Sequence, residues 1–389
     1  MIKESTLTKE TGAPKYAEGI GLALSGGGFR ATLFHVGSLI RLNEAGYLGK
    51  LTEITGVSGG SIVAGLLGLR WSRLAFDGEG RTARLEREIV EPIRRFCSQT
   101  IDVGAVIKGW LNPFVNPVEL LRNVYDARLF DGATLQDLPK QGEGPRFTLY
   151  ATNLQSGVSL RFAQPYMADY RLGEVKTPAI PLATVVAASS AFPPLFVPLA
   201  IRLKAEQWTR FEGADLFDRV GLRERMLLGD GGIYDNMGLE RIWDRYPIVL
   251  VSDAGAKLKV EERALCLRRS LVARTMRTLD ITIEQTRALR KRKLIDDYIG
   301  NVRGGAYWGI ATEIDNYGLE TAGLPPPIVH DDAITNSIAG IRTRLNRFTD
   351  VEQGRLINWG YALTDAAMRR HVLGREALPG RLPVPEHPL

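Results

Sequence analysis

The sequence predicts an α/β fold in which a central, mostly parallel sheet is flanked by helices. Two strand–turn–helix units follow each other near the N-terminus, and a strand–turn–helix–strand segment recurs between residues 225 and 255. Units of this kind build a helix-covered sheet, because a parallel crossover needs a helix to bring the chain back. A third observation sets the scale. With 389 residues, 44% of them apolar and 24% charged, the chain can fill one large core or two ordinary ones. No repeat and no linker divides it, which favours a single domain.

The elements follow in order. Residues 1–17 form a polar N-terminal extension without the apolar stretch of a secretory signal. "GIGLALSGGG" reads as a buried strand entering a glycine-rich turn. In "FRATLFHVGSLIRLNEAG", Leu33, Val36, Leu39, Ile40 and Leu42 are spaced as on a helix that breaks at Gly46. "KLTEITGVSGGSIVAGLLGLRWS" repeats strand, tight turn and helix. From Arg84 to about Pro139 the pattern is helical and irregular. Within it Trp110, Leu111, Phe114 and Val115 cluster beside two prolines, as core or as an apolar lip for acyl chains.

"RFTLYATNLQSGVSLRFA" reads as two strands around a turn, and "RMLLGDGGIYDNMGLERIWDRYPIVLVSDAG" as strand, turn, short helix and strand. The stretch from Glu261 to Ile299 reads as one long amphipathic helix with Leu265, Val272, Leu279 and Ile283 on its apolar side. A strand near "NVRGGAYWGIAT" and two helices complete a domain over 18–375, with its core at 18–256 and a helical part at 260–375. Residues 376–389 form a proline-rich, irregular tail.

Three glycine motifs carry the chemistry. "GVSGG", Gly56 to Gly60, matches the pattern of a sharp strand-to-helix turn that lifts a serine oxygen above the strand ends. Strand before and helix after are both present. The N–H of Gly59, next after Ser58, can then help hold an oxyanion, although an ordinary turn with a capping serine has the same five residues. "SGGGFR", Ser25 to Arg30, exposes several N–H groups to one anionic point. Neither dinucleotide-binding nor P-loop spacing is complete, so an oxyanion loop competes with a phosphate cradle. Arg30 would bring positive charge or make a surface ion pair. "GDGGIYDN", Gly229 to Asn236, places Asp230 at a strand end, where parallel sheets build their sites, though Asp-Gly is also a common turn.

Together the motifs resemble the patatin-like phospholipase family, whose pattern is a G-G-G-x-R loop, a G-x-S-x-G elbow some thirty residues on and a distal D-G-[GA]. Here they stand in that order as Gly26–Arg30, Gly56–Gly60 and Asp230–Gly232, and "VVAASSAFPPLF" is similar to the A-S-x-A-x-P segment before the aspartate. The resemblance covers about 18–256. Ala31 departs from it, standing where members often have glycine. The resemblance implies a three-layer patatin-like fold and a lipid acyl hydrolase with Ser58 as nucleophile and Asp230 as proton acceptor. Gly26, Gly27, Gly28 and Gly59 would form the oxyanion hole, and Arg30, Gly231 and Gly232 would line the site. It also implies a phospholipid or other acyl-ester substrate, with no cofactor and no metal. An ordinary Asp pKa near 3.9 suits this task poorly, so partial burial must raise it or the Ser–Asp contact must be short and desolvated.

Two alternatives stand beside that reading. Of four histidines, His330 or His371 would complete a Ser…Asp…His order, as in a triad carboxylesterase, whereas His35 reads as a packed helix residue. A regulated effector could use the same pocket for binding alone. The net charge of +6 and the run "RALRKRK", Arg287 to Lys293, suit an anionic membrane surface, while Asp296 and Asp297 beside the run also fit a solvated helix face. Exposed aromatics interleaved with basic residues are lacking, which argues against nucleic acid. Cys97 and Cys266 lie too far apart in sequence to suggest a disulfide framework, and no apolar run reaches the roughly 20 residues of a membrane span. The expectation is a cytoplasmic protein, with peripheral membrane contact left open.

Overall fold

The computed structural model describes residues 16–101, 116–193, 196–255, 258, 260–262, 268, 270–375 and 377–389. The cluster from Trp110 to Val115, Leu265, Cys266 and most of the N-terminal extension lie outside the described residues. Strand β1 (Ile20–Leu24) leads to helix α1 (Gly28–Glu44), and β2 (Glu53–Val57) to α2 (Gly59–Leu74), as the two predicted units require. Two short helices follow, α3 (Glu91–Cys97) and α4 (Pro117–Tyr125). Strands β3 (Arg146–Asn153), β4 (Val158–Phe162), β5 (Tyr166–Asp169) and β6 (Gly173–Lys176) then run as a meander to helix α5 (Leu182–Ser189).

Strands β7 (Leu199–Arg202) and β8 (Trp208–Thr209) and helix α6 (Val220–Glu224) precede β9 (Arg225–Asp230). After β9 come α7 (Gly232–Asp235), β10 (Ile248–Asp253), α8 (Leu271–Ile299) and β11 (Gly304–Gly309), then α9 (Ala333–Ile338) and α10 (Asp350–Met368). Among the described residues, no helix is long and apolar enough to cross a membrane.

The sheet runs β11-β10-β1-β2-β3-β4-β5-β6-β8. Pairing from β11 to β3 is parallel, and the strands beyond β3 form an antiparallel wing of which the sequence reading had only β4. Central strands are buried on both faces, as parallel sheets must be. In β1, Leu22 and Leu24 pack with α1 and α2, while Ala23 faces Met237, Ile242 and the underside of α8. These opposite faces, each helix-covered, give the three layers.

One detail of the sheet places the site. β2 pairs with Arg146 to Tyr150 of β3, and β9 pairs with Ala151 to Asn153. Because β4 holds the other edge of β3 from Leu149 to Asn153, β2 and β9 share a single edge. β9 takes over where β2 ends.

Two expectations need correction. The long helix begins at Leu271, not Glu261, and Val272 on its supposed apolar side is 63% exposed. Leu279 and Ile283 are half-buried. The side of α8 that meets the sheet carries Leu294, Ile295 and Tyr298 beside the ion-paired Arg287 and Arg290, so apolar spacing misjudged its buried side. The tail is irregular as expected, yet it is docked. Asn358 on α10 donates to the carbonyls of Val384 and His387 at 2.8 Å each, and Val384 is buried.

Candidate active site

Ser58 lies between β2 and α2 with φ 51° and ψ −117°, a backbone that a non-glycine residue adopts only under constraint. Constraint comes from a neighbour. The Ser58 N–H donates to Ser189 Oγ at 2.8 Å, and the same oxygen lies 2.8 Å from Ser61 Oγ. The turn is crowded as well. A Cβ on Gly59 would stand 2.2 Å from the Gly28 carbonyl, so only glycine lets the elbow and the glycine loop touch.

Asp230 ends β9 on the edge that β2 has vacated. Its N–H donates to Ala191 O at 3.0 Å, and its carbonyl accepts from Thr152 Oγ1 at 2.8 Å. The Gly231 N–H donates to Ser189 O at 3.3 Å, so Ser189 braces both the serine turn and the aspartate turn. On the carboxylate, Oδ1 accepts the Gly232 N–H at 2.7 Å, and the nearby Ser58 hydroxyl also favours the charged form. Burial dominates these two effects and lifts the Asp230 pKa to about 7. The carboxyl is thus poised to exchange a proton near neutral pH.

Gly27 and Gly28 take φ values of 146° and 56°, and α1 starts on Gly28. The loop meets the elbow where the Gly28 carbonyl abuts Gly59. The Gly26 N–H, one of the oxyanion-hole donors that the sequence reading names, already donates to Asn236 O at 2.9 Å. A motif of three glycines does not tell which amide faces inward.

Arg30 was read as positive charge near the site or as a surface ion pair. It lines the cavity wall, is buried, and makes no surface pair among the described residues. Nη1 donates to Ile341 O at 2.9 Å and Nη2 to Ala254 O at 2.7 Å. Burial lowers its pKa to about 10, against the pull of Asp253 and with the push of Arg287, so it stays charged. The Phe29 N–H donates to Arg344 O at 3.2 Å, which ties the glycine loop to the 340–345 segment a second time.

Ser58, Asp230, the glycine loop, Arg30 and Gly232 open on a cavity of about 690 Å³ whose apolar wall includes Phe192, Phe196, Met276 and Ile283. No histidine lines it among the described residues. His330 is exposed on a loop and lies 2.7 Å from Asp315. His371 packs edge-on against Tyr317. His35 is enclosed in the core with both ring nitrogens bonded.

The basic run of α8 is largely spent on ion pairs. Arg287 reaches Asp253 at 2.7 Å and Glu284 at 2.8 Å, Arg290 reaches Asp235 at 2.6 Å, and Lys293 pairs with Asp297. Arg287 and Arg290 hold the helix to the sheet ends, while Arg292 and Lys293 are exposed. Sequence reasoning gave no individual role to Ser189, Asn236 or Thr152, although Asn236 closes the aspartate motif and Ser189 lies in the segment similar to A-S-x-A-x-P.

An elbow serine on a helix-flanked sheet, with a carboxylate and a glycine loop at hand, is how serine hydrolases are built. The model of the patatin-like phospholipases matches residues 22–243, and the chain belongs to that family. No curated protein matches it in sequence. Among solved structures, human GIVD cytosolic phospholipase A2 is similar at 13% identity and a TM-score of 0.49, over 89% of this chain and 61% of that one. The same enzyme with methyl gamma-linolenyl fluorophosphonate gives 13% and 0.48, over 90% and 57%. VipD from Legionella pneumophila gives 16% and 0.35, over 90% and 66%. The chain thus spans about three fifths of the human enzyme's length.

Proposed function

We propose that the protein hydrolyses fatty acyl esters of lipids, phospholipids included, through a Ser58–Asp230 dyad and an acyl-enzyme intermediate. One observation carries the reading: a buried carboxyl with its pKa raised to about 7 opens on the same cavity as a serine held on a strained elbow. A base titrating near the working pH takes a proton readily and returns it readily.

Ser58 Oγ attacks the ester carbonyl carbon while its proton passes to Asp230. The carbonyl oxygen, now an oxyanion, accepts from the N–H groups of Gly27, Gly28 and Gly59. Loss of one such donor in hydrolases costs on the order of 3 kcal/mol. Asp230 then protonates the leaving alcohol oxygen as the ester C–O bond breaks. A water gives its proton to Asp230 and attacks the acyl carbon. The Ser58–acyl bond breaks, and the proton returns to Ser58.

The absence of histidine from the cavity wall, among the described residues, favours this dyad over a triad. The test is incubation with a fluorophosphonate probe and, separately, with mixed phospholipids, comparing the parent chain with Ser58→Ala. Labelling of Ser58 and Ser58-dependent release of fatty acid are expected. Labelling at another serine, or fatty-acid release that survives Ser58→Ala, would overturn the reading.

A further inference from the structure

His35 takes no part in the chemistry proposed above, yet its ring is fully hydrogen-bonded. Nε2 lies 2.9 Å from the Ser25 carbonyl oxygen and Nδ1 lies 2.8 Å from Ser252 Oγ. A carbonyl only accepts, so Nε2 carries the hydrogen. Burial, opposed by the Ser25 carbonyl and Asp253, pushes the ring's pKa down to about 4. At neutral pH Nδ1 is therefore a bare acceptor, and the Ser252 hydroxyl donates to it. Having spent its proton, Ser252 Oγ accepts from the Ser38 hydroxyl 3.1 Å away, and Ser38 Oγ accepts the Trp308 indole N–H at 2.9 Å. Donation runs one way from Ser252 through His35 to Ser25, while the Ser38 hydroxyl has a second acceptor in Phe34 O at 3.3 Å.

Where the chain of bonds ends gives it a purpose. Ser25 precedes Gly26, and the Ser25 C=O and Gly26 N–H belong to one planar trans peptide, pointing opposite ways. His35 holds the carbonyl and Asn236 O holds the N–H. Ser25 is fixed further by its N–H to Ser252 O at 3.1 Å and by Oγ, which accepts the Ala254 N–H at 2.7 Å. Three successive glycines have the widest torsional freedom a chain can have, so the direction of their amides must be imposed from outside.

We infer that His35 is a positioning residue whose Nε2–H sets the plane of the Ser25–Gly26 peptide and so aims the Gly27 and Gly28 N–H groups at the oxyanion. The inference rests on the reading of Ser58 as the nucleophile. It assigns His35 no contact with substrate.

The test compares His35→Leu and His35→Gln with the parent on a soluble p-nitrophenyl ester and on a trifluoromethyl ketone that mimics the oxyanion. Leucine removes the donor, whereas glutamine offers an N–H and a carbonyl about as far apart as the two ring nitrogens. His35→Leu should lower kcat about tenfold to a hundredfold, somewhat less than outright loss of an oxyanion donor. Ketone affinity should fall by the same factor, because both report the transition-state geometry, with KM held within about twofold. His35→Gln should restore most of both.

A lower Tm with kcat and ketone affinity unmoved would mark His35 as core packing only and overturn the inference. So would a His35→Gln variant as impaired as His35→Leu. If His35→Leu does not fold, Ser252→Ala, which strips Nδ1 of its donor, is read the same way. Several-fold losses in kcat and ketone affinity together are expected of it, and unchanged values overturn the inference. A parent whose Ser58 is neither labelled by a fluorophosphonate nor needed for hydrolysis would instead sink the reading underneath. A labelled, active parent with an unimpaired His35→Leu sinks the positioning role alone.

Discussion

Val57 and Asp230 pair with Tyr150 and Ala151, consecutive residues of β3. Two strands of opposite direction therefore meet end to end on one edge, and Ser58, the residue after Val57, arrives where Asp230 stands. Ladder hydrogen bonds on a rigid sheet fix the approach, with no loop needed to close over it. Substituting either side chain should change the chemistry while leaving its partner in place.

Ser58→Ala is expected to abolish ester hydrolysis, with a loss of about four orders of magnitude or more in kcat. Asp230→Asn should lose nearly as much, since groups that act as one unit are not additive. Initial rates on one soluble ester, with circular dichroism for folding, check both. A folded Asp230→Asn variant with near-parent turnover would remove Asp230 from the mechanism.

The pH profile follows from Asp230. The base form is needed, so kcat/KM should rise with pH to a plateau, with a midpoint near the Asp230 value of about 7. The effect on stability has the opposite sign. The folded carboxyl holds its proton more tightly than the unfolded one, whose pKa is 3.8. Its contribution is complete below pH about 3.8 and is lost as the pH rises through about 7. Asp230→Asn should therefore stabilise the protein at pH 8 by at most about 4 kcal/mol, and by little at pH 4. Urea melts at the two pH values measure the difference.

His330→Ala and His371→Ala should each keep kcat within about twofold of the parent, since neither residue lines the cavity. A dead, folded variant of either would restore the triad.

Arg287→Met should cost about 3 kcal/mol, because it strands the buried Asp253 carboxylate without its partner. Adding Asp253→Asn should recover much of the loss, which chemical denaturation of the single and double variants can show. Sedimentation with anionic vesicles should be unchanged in Arg287→Met, since that side chain is only 10% exposed. Reduced vesicle binding would return the basic run to a lipid-facing role.

How much of this was legible in the sequence depended on how local the cause was. The turns at Gly26–Arg30, Gly56–Gly60 and Asp230–Gly232 were legible because their residues act on their own backbone. The parallel strands were legible because β1 and β10 are buried on both faces and read as apolar runs. The antiparallel wing beyond β4 was not, because β6 and β8 have four and two residues and owe their existence to partners. The roles of Ser189 and Asn236 were missed for a similar reason. Ser189 holds Ser58 across 131 positions, a relation that no local pattern carries. The pairing of the Gly26 N–H was not legible because its acceptor, Asn236 O, lies far along the chain. On α8, Val272 looked like core because periodicity does not see that the helix docks through Leu294 and arginines.

Arg30 and Phe29 draw on the carbonyls of Ala254, Ile341 and Arg344, all of which lie past residue 243, where the family match ends. The segment that bears every diagnostic motif is therefore not a portable module. Excised at that boundary, it would carry a guanidinium without its two carbonyl acceptors and a glycine loop without its tie to Arg344. Transplanting residues 22–243 into another protein would move the signature and leave behind the grip that makes it work.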